Sequence, residues 1–219
     1  MNVSLGDRVV IENLSFDLKE KENLVILGPN GAGKTILLRA LLGLIPFQGS
    51  VKWRPGIKIN YIPQRFFPPP DFPVSVSDFL SFKGDFRGRA ENMLSDVGLG
   101  REILTKKISD LSAGQFQRLL IAWSLCDRPD VVILDEPTTG IDIGGEETIY
   151  NLLRRIEEKV DITMVLVTHD LNIVYKFSDK VLCLNKKMLC YGPPAEILSS
   201  KGLEELYKSD IKIYQHSHE

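Results

Sequence analysis

Two segments of this chain carry residue types that bind phosphate groups. The first matches the pattern G-x-x-x-x-G-K-[ST] and consists of Gly28, Pro29, Asn30, Gly31, Ala32, Gly33, Lys34 and Thr35. Its glycines allow a tight turn, so that successive backbone N–H groups can point at phosphate oxygens from the start of a helix. Lys34 adds a mobile positive charge for the β- and γ-phosphates, and Thr35 offers a hydroxyl to Mg²⁺. The segment therefore predicts binding of a nucleoside triphosphate together with Mg²⁺.

The neighbouring residues place this loop between a strand and a helix. An apolar run at residues 24–27 leads into it, and a helical run at residues 36–42 follows it. A second apolar run, at residues 131–134, is followed directly by Asp135 and Glu136. Taken alone, that run is typical of a buried parallel strand that ends in two solvated acids. Beside a phosphate-binding loop, it predicts that Asp135 holds the Mg²⁺ and that Glu136 is the general base that activates water for hydrolysis.

The second phosphate-binding segment lies in the middle of the chain and consists of Leu111, Ser112, Ala113, Gly114 and Gln115. It precedes a helical run at residues 116–126, so the serine could be an ordinary helix N-cap. A serine hydroxyl and small residues at a helix N-terminus also form an anion site. At this segment the chain resembles the ATP-binding cassette family, most members of which have glycine in place of Ala113. The resemblance implies a homodimer in which each ATP lies between Lys34 of one copy and Ser112 of the other.

Three further positions match this family in chain order. Gln64 resembles the glutamine that reaches the Mg²⁺ and the attacking water, Asp142 the aspartate that contacts the opposite subunit, and His169 the histidine that senses the γ-phosphate. Each has a plainer interpretation as a surface glutamine, a helix N-cap or a histidine at a strand end. Their common order favours the family interpretation. The catalytic residues that it implies are Glu136, His169 and Gln64. The Mg²⁺ ligands that it implies are Thr35, Gln64 and Asp135.

One position departs from the family pattern. The aromatic residue that stacks on adenine in the family, shortly before the phosphate-binding loop, aligns best with Leu5. Phe16 lies nearby, but the alternation of residues 14–18 predicts a strand in which Phe16 faces the core. Discrimination between purine bases is therefore predicted to be weak.

The composition is that of an ordinary globular domain. A chain of 219 residues with 43% apolar residues can bury a proper core. A net charge of −2 gives no electrostatic basis for binding nucleic acid. Because the sequence shows neither a long apolar span nor a signal peptide, we expect it neither to cross a membrane nor to leave the cytoplasm. Cys126, Cys183 and Cys190 form no CxxC pair and are predicted to be reduced, packed side chains.

The order of the predicted elements indicates an α/β fold. The resemblance implies one nucleotide-binding domain over residues 1–219, with a P-loop NTPase (RecA-like) core, an antiparallel β part and an inserted α-helical subdomain. We expect that subdomain at about residues 65–123, where a Pro-rich loop and helices carry no strand signal. Strands and helices then alternate from residue 131 to about residue 191, as in a parallel sheet with right-handed crossovers.

Aromatic residues mark the start of the helical part. Six of the ten phenylalanines crowd together there, namely Phe66, Phe67, Phe72, Phe79, Phe82 and Phe86. Phe79 and Phe82 are predicted to be core residues. Phe66 and Phe67 adjoin three consecutive prolines, which suit neither a helix nor a central strand, so these two are predicted to be exposed and to form a binding surface. In the family this region docks a permease, which implies a separate integral-membrane subunit as partner.

Weaker motifs resemble one branch of the family. Residues 180–185, 192–194 and 213–219 look similar to the ATPase subunits of zinc and manganese importers. This resemblance implies an ATP-hydrolysing subunit of a divalent-metal importer, peripheral at the cytoplasmic face of the membrane, with an extracytoplasmic solute-binding protein in the same system. The alternatives are an ATPase of a different transport system and a non-transport mechanoenzyme of the same family.

The last residues of the chain form a separate hypothesis. His216 and His218 lie two apart, so in an extended segment both imidazoles could bind one metal ion, with Glu219 as a third ligand. The alternative is a disordered polar tail.

Overall fold

The structure, a computed structural model, describes residues 1–64, 66–84, 90–141 and 143–197. The elements within these residues are, in chain order, β1 (Val3–Leu5), β2 (Arg8–Ile11), β3 (Leu24–Leu27), α1 (Lys34–Leu41), β4 (Ile59–Ile62), α2 (Val76–Ser81), α3 (Ala90–Asp96), α4 (Ala113–Leu125), β5 (Val131–Asp135), α5 (Ile143–Lys159), β6 (Thr163–Thr168), α6 (Leu171–Phe177), β7 (Lys180–Asn185), β8 (Lys187–Gly192) and α7 (Pro194–Ile197). Two 3-10 helices, Arg101–Thr105 and Ile108–Asp110, precede α4. The Asp142 position and the histidine tail lie outside the described residues.

The chain divides into two units. The first unit contains Met1–Leu18, Leu24–Lys52 and the residues from Val167 onward, and the second contains Lys19–Asn23 and Trp53–Leu166. In the first unit β1 and β2 form an antiparallel hairpin, β3 pairs in parallel with β7, and β7 pairs antiparallel with β8. In the second unit β4 pairs in parallel with β5, and β6 begins there as the next neighbour of β5. The expectation of a single domain over the whole chain stays a prediction.

The central strands have the sequences that parallel sheets require. Every residue of β3, β5 and β6 is buried, and apart from Asp135, Thr163 and Thr168 at the strand ends these strands are runs of Val, Ile, Leu and Met rather than alternating patterns. Such runs are typical of strands covered on both faces. Helices and strands alternate along β5, α5, β6, α6 and β7, so the predicted α/β class is confirmed.

The described residues between β4 and β5 form mainly helices. Two of these helices begin with capping boxes, at Ser75 with Asp78 in α2 and at Ser112 with Gln115 in α4. In each box the two side chains satisfy backbone N–H groups that the helix itself leaves unpaired. In the part of the chain that the structure describes, no helix combines the length and apolar composition needed to cross a membrane.

Three predictions about single residues were wrong. Residues 14–18 form no strand, and Phe16 is half-buried against the ring of Tyr191, with the ring centroids 5.9 Å apart. Phe82 is 67% exposed because α2 ends at Ser81, whereas Phe79 is buried as predicted. Cys183 and Cys190 are not free thiols, since they face each other across β7 and β8 and form a disulfide.

Candidate functional site

The phosphate-binding loop lies in the first unit between β3 and α1. Gly33 has a φ of +99° at the N-cap of α1, a conformation that glycine adopts without a steric penalty. Lys34 begins the helix and is 6% exposed, and its Nζ donates hydrogen bonds to the carbonyl oxygens of Gly28 (2.7 Å) and Pro29 (3.2 Å). The ammonium group is therefore held within the loop that it is predicted to serve. Thr35, next along the helix, is half-buried.

The first glycine of the loop has a different constraint. A Cβ atom at Gly28 would lie 2.2 Å from the carbonyl oxygen of Leu184 and 3.0 Å from the Cβ of Ala32. The backbone at the end of β7 thus passes so close to the loop that only glycine fits at this position. Packing against β7, in addition to phosphate binding, therefore requires glycine at position 28.

This contact gives a testable prediction. We expect Gly28→Ala to force the loop and β7 apart, to lower the free energy of unfolding by about 1–3 kcal/mol, the range for overpacked sites, and to weaken nucleotide binding. Thermal melting and titration with a fluorescent ATP analogue measure both effects. Gly114→Ala is the matched control for melting, because the nearest atom to its added Cβ, in Ile141, lies 4.0 Å away. Equal melting temperatures for both variants would contradict the prediction.

The predicted acids end β5 in the second unit. Asp135 is 1% exposed and accepts a hydrogen bond from the Tyr61 hydroxyl at 3.3 Å. Glu136 has a φ of +46°, which is unusual for a residue with a side chain. Its Oε2 accepts a hydrogen bond of 2.6 Å from Nε2 of Gln64. The structure therefore brings together two of the residues predicted to be catalytic, Glu136 and Gln64.

Two residues at these acids were not predicted from the sequence. Tyr61 lies in β4 opposite Ile133 of β5, and its hydroxyl reaches along β5 to Asp135, two residues further on. Thr139 donates from Oγ1 to the same oxygen of Glu136 at 3.4 Å, and its N–H donates to the Glu136 carbonyl at 3.1 Å. A hydroxyl residue three positions after an acid at a strand end is the signal that could have identified Thr139.

The second phosphate-binding segment opens α4 in the second unit. Ser112 is exposed and is the N-cap of α4, with its Oγ accepting from the Gln115 N–H at 3.2 Å. The Gln115 side chain accepts in return from the Ser112 N–H at 3.1 Å. The plain N-cap interpretation is therefore confirmed. The Ser112 side chain and the first turn of α4, with Ala113 and Gly114, also face solvent in part, so a role in anion binding stays a prediction.

The remaining predicted residues are placed as follows. His169 directly follows β6 and is exposed. Asp142 lies outside the described residues. Among the described residues, no group of three or more His, Cys, Asp and Glu side chains is arranged to hold a metal ion.

The position of the expected adenine platform lies on the β1–β2 hairpin in the first unit. Leu5 ends β1 and is 47% exposed. The second strand of the hairpin touches the phosphate-binding loop, because Val10 and Ile11 lie 3.3–3.4 Å from the position of a Cβ at Gly33. Leu5 thus offers an aliphatic side chain where an aromatic ring is expected.

We expect this chain to hydrolyse GTP at a rate comparable to ATP. Stacking of a base on an aromatic ring contributes about 1–3 kcal/mol, and Leu5 cannot supply it. Steady-state hydrolysis of both nucleotides measures the preference. Leu5→Tyr should raise the preference for ATP over GTP. A strong preference for ATP that Leu5→Tyr leaves unchanged would mean that another residue supplies the platform.

Comparison with known proteins shows which family this chain resembles. A family model described as ABC transporter matches residues 11–139. A protein named "Zinc import ATP-binding protein ZnuC" from Rickettsia conorii is 38% identical over 223 residues, covering 100% of this chain and 95% of that protein. A metal-chelate type ABC transporter, solved in an inward-facing conformation, has a TM-score of 0.80 and 30% identity, with 90% of this chain and 82% of that chain covered. MJ0796, a bacterial ABC transporter cassette solved as a dimer, has a TM-score of 0.72 and 25% identity, with coverages of 88% and 95%.

The matched segment contains the phosphate-binding loop, Gln64, the Ser112 segment and both acids, and the named relative matches the whole chain. On these grounds, the chain belongs to the ABC transporter family as one of its ATP-binding proteins, with the family's P-loop NTPase fold.

Proposed function

We propose that this chain is the ATP-hydrolysing subunit of an importer for divalent metal ions, with zinc as the first ion to test. Two relatives that match 99% and 100% of this chain, at 34% and 38% identity, are named for zinc import. The observation that carries the proposal for hydrolysis is the 2.6 Å hydrogen bond from Gln64 to the carboxylate of Glu136. A protein that only stores nucleotide has no use for a positioned carboxylate after the metal-binding acid.

ATP binding begins at the phosphate-binding loop. The N–H groups at the start of α1 bind phosphate oxygens, and the Lys34 ammonium exchanges the carbonyl oxygens of Gly28 and Pro29 for the β- and γ-phosphates. That exchange keeps the ammonium paired at every stage. His169, exposed at the end of β6, is proposed to donate to the γ-phosphate.

The residues proposed for Mg²⁺ supply the chemistry that this ion prefers. They offer a hydroxyl (Thr35), a carboxylate (Asp135) and a side-chain amide oxygen (Gln64), all hard oxygen donors. The Asp135 carboxylate is buried, and a buried charge is stabilised by pairing with an ion of opposite sign, so it suits a cation. When bound, Mg²⁺ neutralises charge on the β- and γ-phosphates.

Glu136 performs the proton transfer. Its carboxylate takes a proton from the water that attacks the γ-phosphate, while the N–H group of Gln64 and the hydroxyl of Thr139 hold the carboxylate in place. This division of roles is typical of a positioned general base.

We further propose that two copies complete each site. Ser112 and the first turn of α4 in one copy close over the γ-phosphate bound to the loop of the other, and Asp142 contacts the opposite copy. The Ser112 hydroxyl already accepts a hydrogen bond as an N-cap, so its proton is available for donation to a phosphate oxygen. A related cassette was solved as a dimer.

The permease is proposed to dock on exposed phenylalanines of the second unit. We call Phe66, Phe67, Phe72 and Phe82 the phenylalanine patch, whose members are 48%, 57%, 37% and 67% exposed. They lie within 17 residues of one another along the chain, and exposed large apolar side chains that adjoin one another usually mark a binding surface. The Phe66 ring stacks on Phe116 of α4 with the ring centroids 6.0 Å apart, so the patch adjoins the helix that Ser112 caps. A displacement of the patch by the permease would therefore be transmitted through Phe116 to the segment that closes over ATP.

The same proposal includes the other parts of the transport system. The chain is placed at the cytoplasmic face of the membrane through its permease, and an extracytoplasmic solute-binding protein delivers the ion. Opening and closing of the dimer would drive the permease between inward-facing and outward-facing states. An ATPase of a different transport system is the alternative, and the names of the relatives do not favour it.

The test of the proposed hydrolysis uses the full chain alone. If two copies complete each site, phosphate release per mole of chain with ATP and Mg²⁺ should rise with chain concentration and then level off. Lys34→Ala is the inactive control. Hydrolysis that is absent, or that shows the same specific activity over a hundredfold dilution, would contradict the proposal of two-copy sites.

A further inference from the structure

The cysteine pair of the β7–β8 hairpin lies next to the phosphate-binding loop. Cys183 and Cys190 are register partners on the two antiparallel strands, with their Cα atoms 4.9 Å apart, and they form a disulfide. Cys183 is fully buried and is also the register partner of Leu27, the last residue before the loop. Cys190 is half-buried, so of the two cysteines it is the one closer to solvent.

The residues after Cys183 hold the loop directly. The register of the hairpin shifts between Cys183 and Leu184, and it is the Leu184 carbonyl that touches Gly28. Lys186, which joins the two strands with a φ of +61°, donates its N–H to the carbonyl of Ala32 at 3.0 Å. The irregular end of the hairpin therefore contacts the loop near both of its ends.

A second set of contacts fixes the turn between β7 and β8. The Glu12 N–H donates to the Lys186 carbonyl at 2.8 Å, and the Glu12 carboxylate forms an ion pair with Lys187 at 3.1 Å. The turn is thus held by Glu12, the residue that follows β2, while the disulfide joins the two strands next to the register shift. Among the described residues this disulfide is the one covalent cross-link between strands β7 and β8.

We propose that Cys183 and Cys190 form a reversible thiol–disulfide site that sets the affinity of the phosphate-binding loop for nucleotide. In the disulfide form the end of the hairpin is fixed, so the loop is preorganised and binds nucleotide more tightly. Reduction lets the strands separate at the register shift and loosens the Leu184 and Lys186 contacts. The inference rests on nucleotide binding by this loop and is independent of the transported ion.

The exchange balances with thiols as the co-reactants. A dithiol reductant attacks Cys190 as thiolate, and the Cys183 sulfur leaves and takes up a proton. The mixed disulfide is then resolved by the second thiol of the reductant. Two electrons pass to the protein, two cysteine thiols form, and the reductant becomes a cyclic disulfide; the reverse reaction closes the pair.

The third cysteine is a poor competitor in this exchange. Burial raises the pKa of the Cys126 thiol to about 11, against a smaller lowering by the Lys83 ammonium. At neutral pH the thiolate, which is the reactive form, is therefore scarce at Cys126. Cys126→Ala is accordingly a suitable control background.

The experiment titrates the full chain with mixtures of reduced and oxidised dithiothreitol. Alkylation and intact-mass measurement count the free thiols at each ratio, and a fluorescent ATP analogue measures affinity in the fully oxidised and fully reduced states. We expect the free thiols to change by two, and the reduced form to bind about fivefold more weakly, at the low end of typical coupling between sites. By linkage, saturating nucleotide must shift the midpoint by the same fivefold factor, which is about 21 mV for a two-electron couple.

The variants separate the site from general effects. Cys126→Ala should behave as the wild type does, whereas the double variant Cys183→Ala with Cys190→Ala should bind as the reduced form at every ratio. Three alkylated thiols at all ratios, or equal affinity in both states despite a change of two thiols, would overturn the proposal. Absence of nucleotide binding in both states would overturn the proposed function and this inference together. Failure of the proposed function can therefore be distinguished from failure of the thiol–disulfide site alone, in which nucleotide still binds.

Discussion

Replacing Glu136 by Gln should slow ATP hydrolysis by about 10²–10⁴-fold, the usual contribution of a positioned general base, while ATP binding persists. An amide keeps the size of the side chain and can still accept the hydrogen bond from Gln64. It cannot take the proton from the attacking water. The closed dimer with ATP should therefore accumulate, and size-exclusion chromatography with ATP should show it.

The matched control for this variant is Glu158→Gln. The Glu158 side chain is 66% exposed and forms an ion pair with Arg154 at 3.9 Å, so the loss of its charge should leave hydrolysis unchanged. Hydrolysis by Glu136→Gln within a few-fold of the wild type would show that the base assignment is wrong. Loss of ATP binding in this variant would instead indicate a structural role for the carboxylate.

Replacing Phe66 and Phe67 together by Ser should abolish co-purification with the membrane subunit. Anchor residues of an interface cost at least about 2 kcal/mol each when truncated, so losing two should weaken association by about a thousandfold. The fold should persist, because both side chains are about half exposed. Basal ATPase of the isolated chain should change little for the same reason.

A substitution of similar chemistry elsewhere provides the comparison. Val160→Ser alters an apolar residue that is 43% exposed in the same unit but lies outside the phenylalanine patch. It should co-purify with the membrane subunit as well as the wild type. If the Phe66 and Phe67 variant melts at a markedly lower temperature, the stacking of Phe66 on Phe116 belongs to the core rather than to a docking surface.

The strands that carry the site could be predicted from the sequence because their signals are local. Residues 24–27 and 131–134 are unbroken apolar runs bounded by glycine or acids, and both are strands in the structure. The spacing of the phosphate-binding loop determines its position between a strand and a helix. The contact of Gln64 with Glu136 joins residues 72 apart, and only the family resemblance placed both at one site.

The wrong predictions arise where tertiary contacts override a local pattern. Residues 14–18 alternate like a strand, yet the ring of Phe16 packs on Tyr191 and the Tyr191 hydroxyl donates to the Asp17 carbonyl. These side-chain contacts take the place of a backbone ladder. Phe82 follows the helical spacing of Phe79 but falls after the last residue of α2, so its ring meets Phe79 edge-on from outside the core.

The cysteine pair could not be predicted because it depends on strand register. Cys183 and Cys190 are seven positions apart in the sequence, and they become partners only because β7 and β8 pair as a hairpin. The register shift after Cys183 changes which residues face each other along the rest of the ladder. Sequence spacing alone contains no information about that shift.

Uptake of radioactive zinc by cells lacking this chain is the most direct test of the proposed transport role. In metal-starved cells, the wild-type chain should restore the initial rate of zinc uptake, or of manganese uptake if that is the ion, and Glu136→Gln should not. Both proteins must be present at equal levels by immunoblot. Uptake of both metals that is unchanged by loss of the chain, or that Glu136→Gln restores as fully as the wild type, would contradict an ATP-driven metal importer.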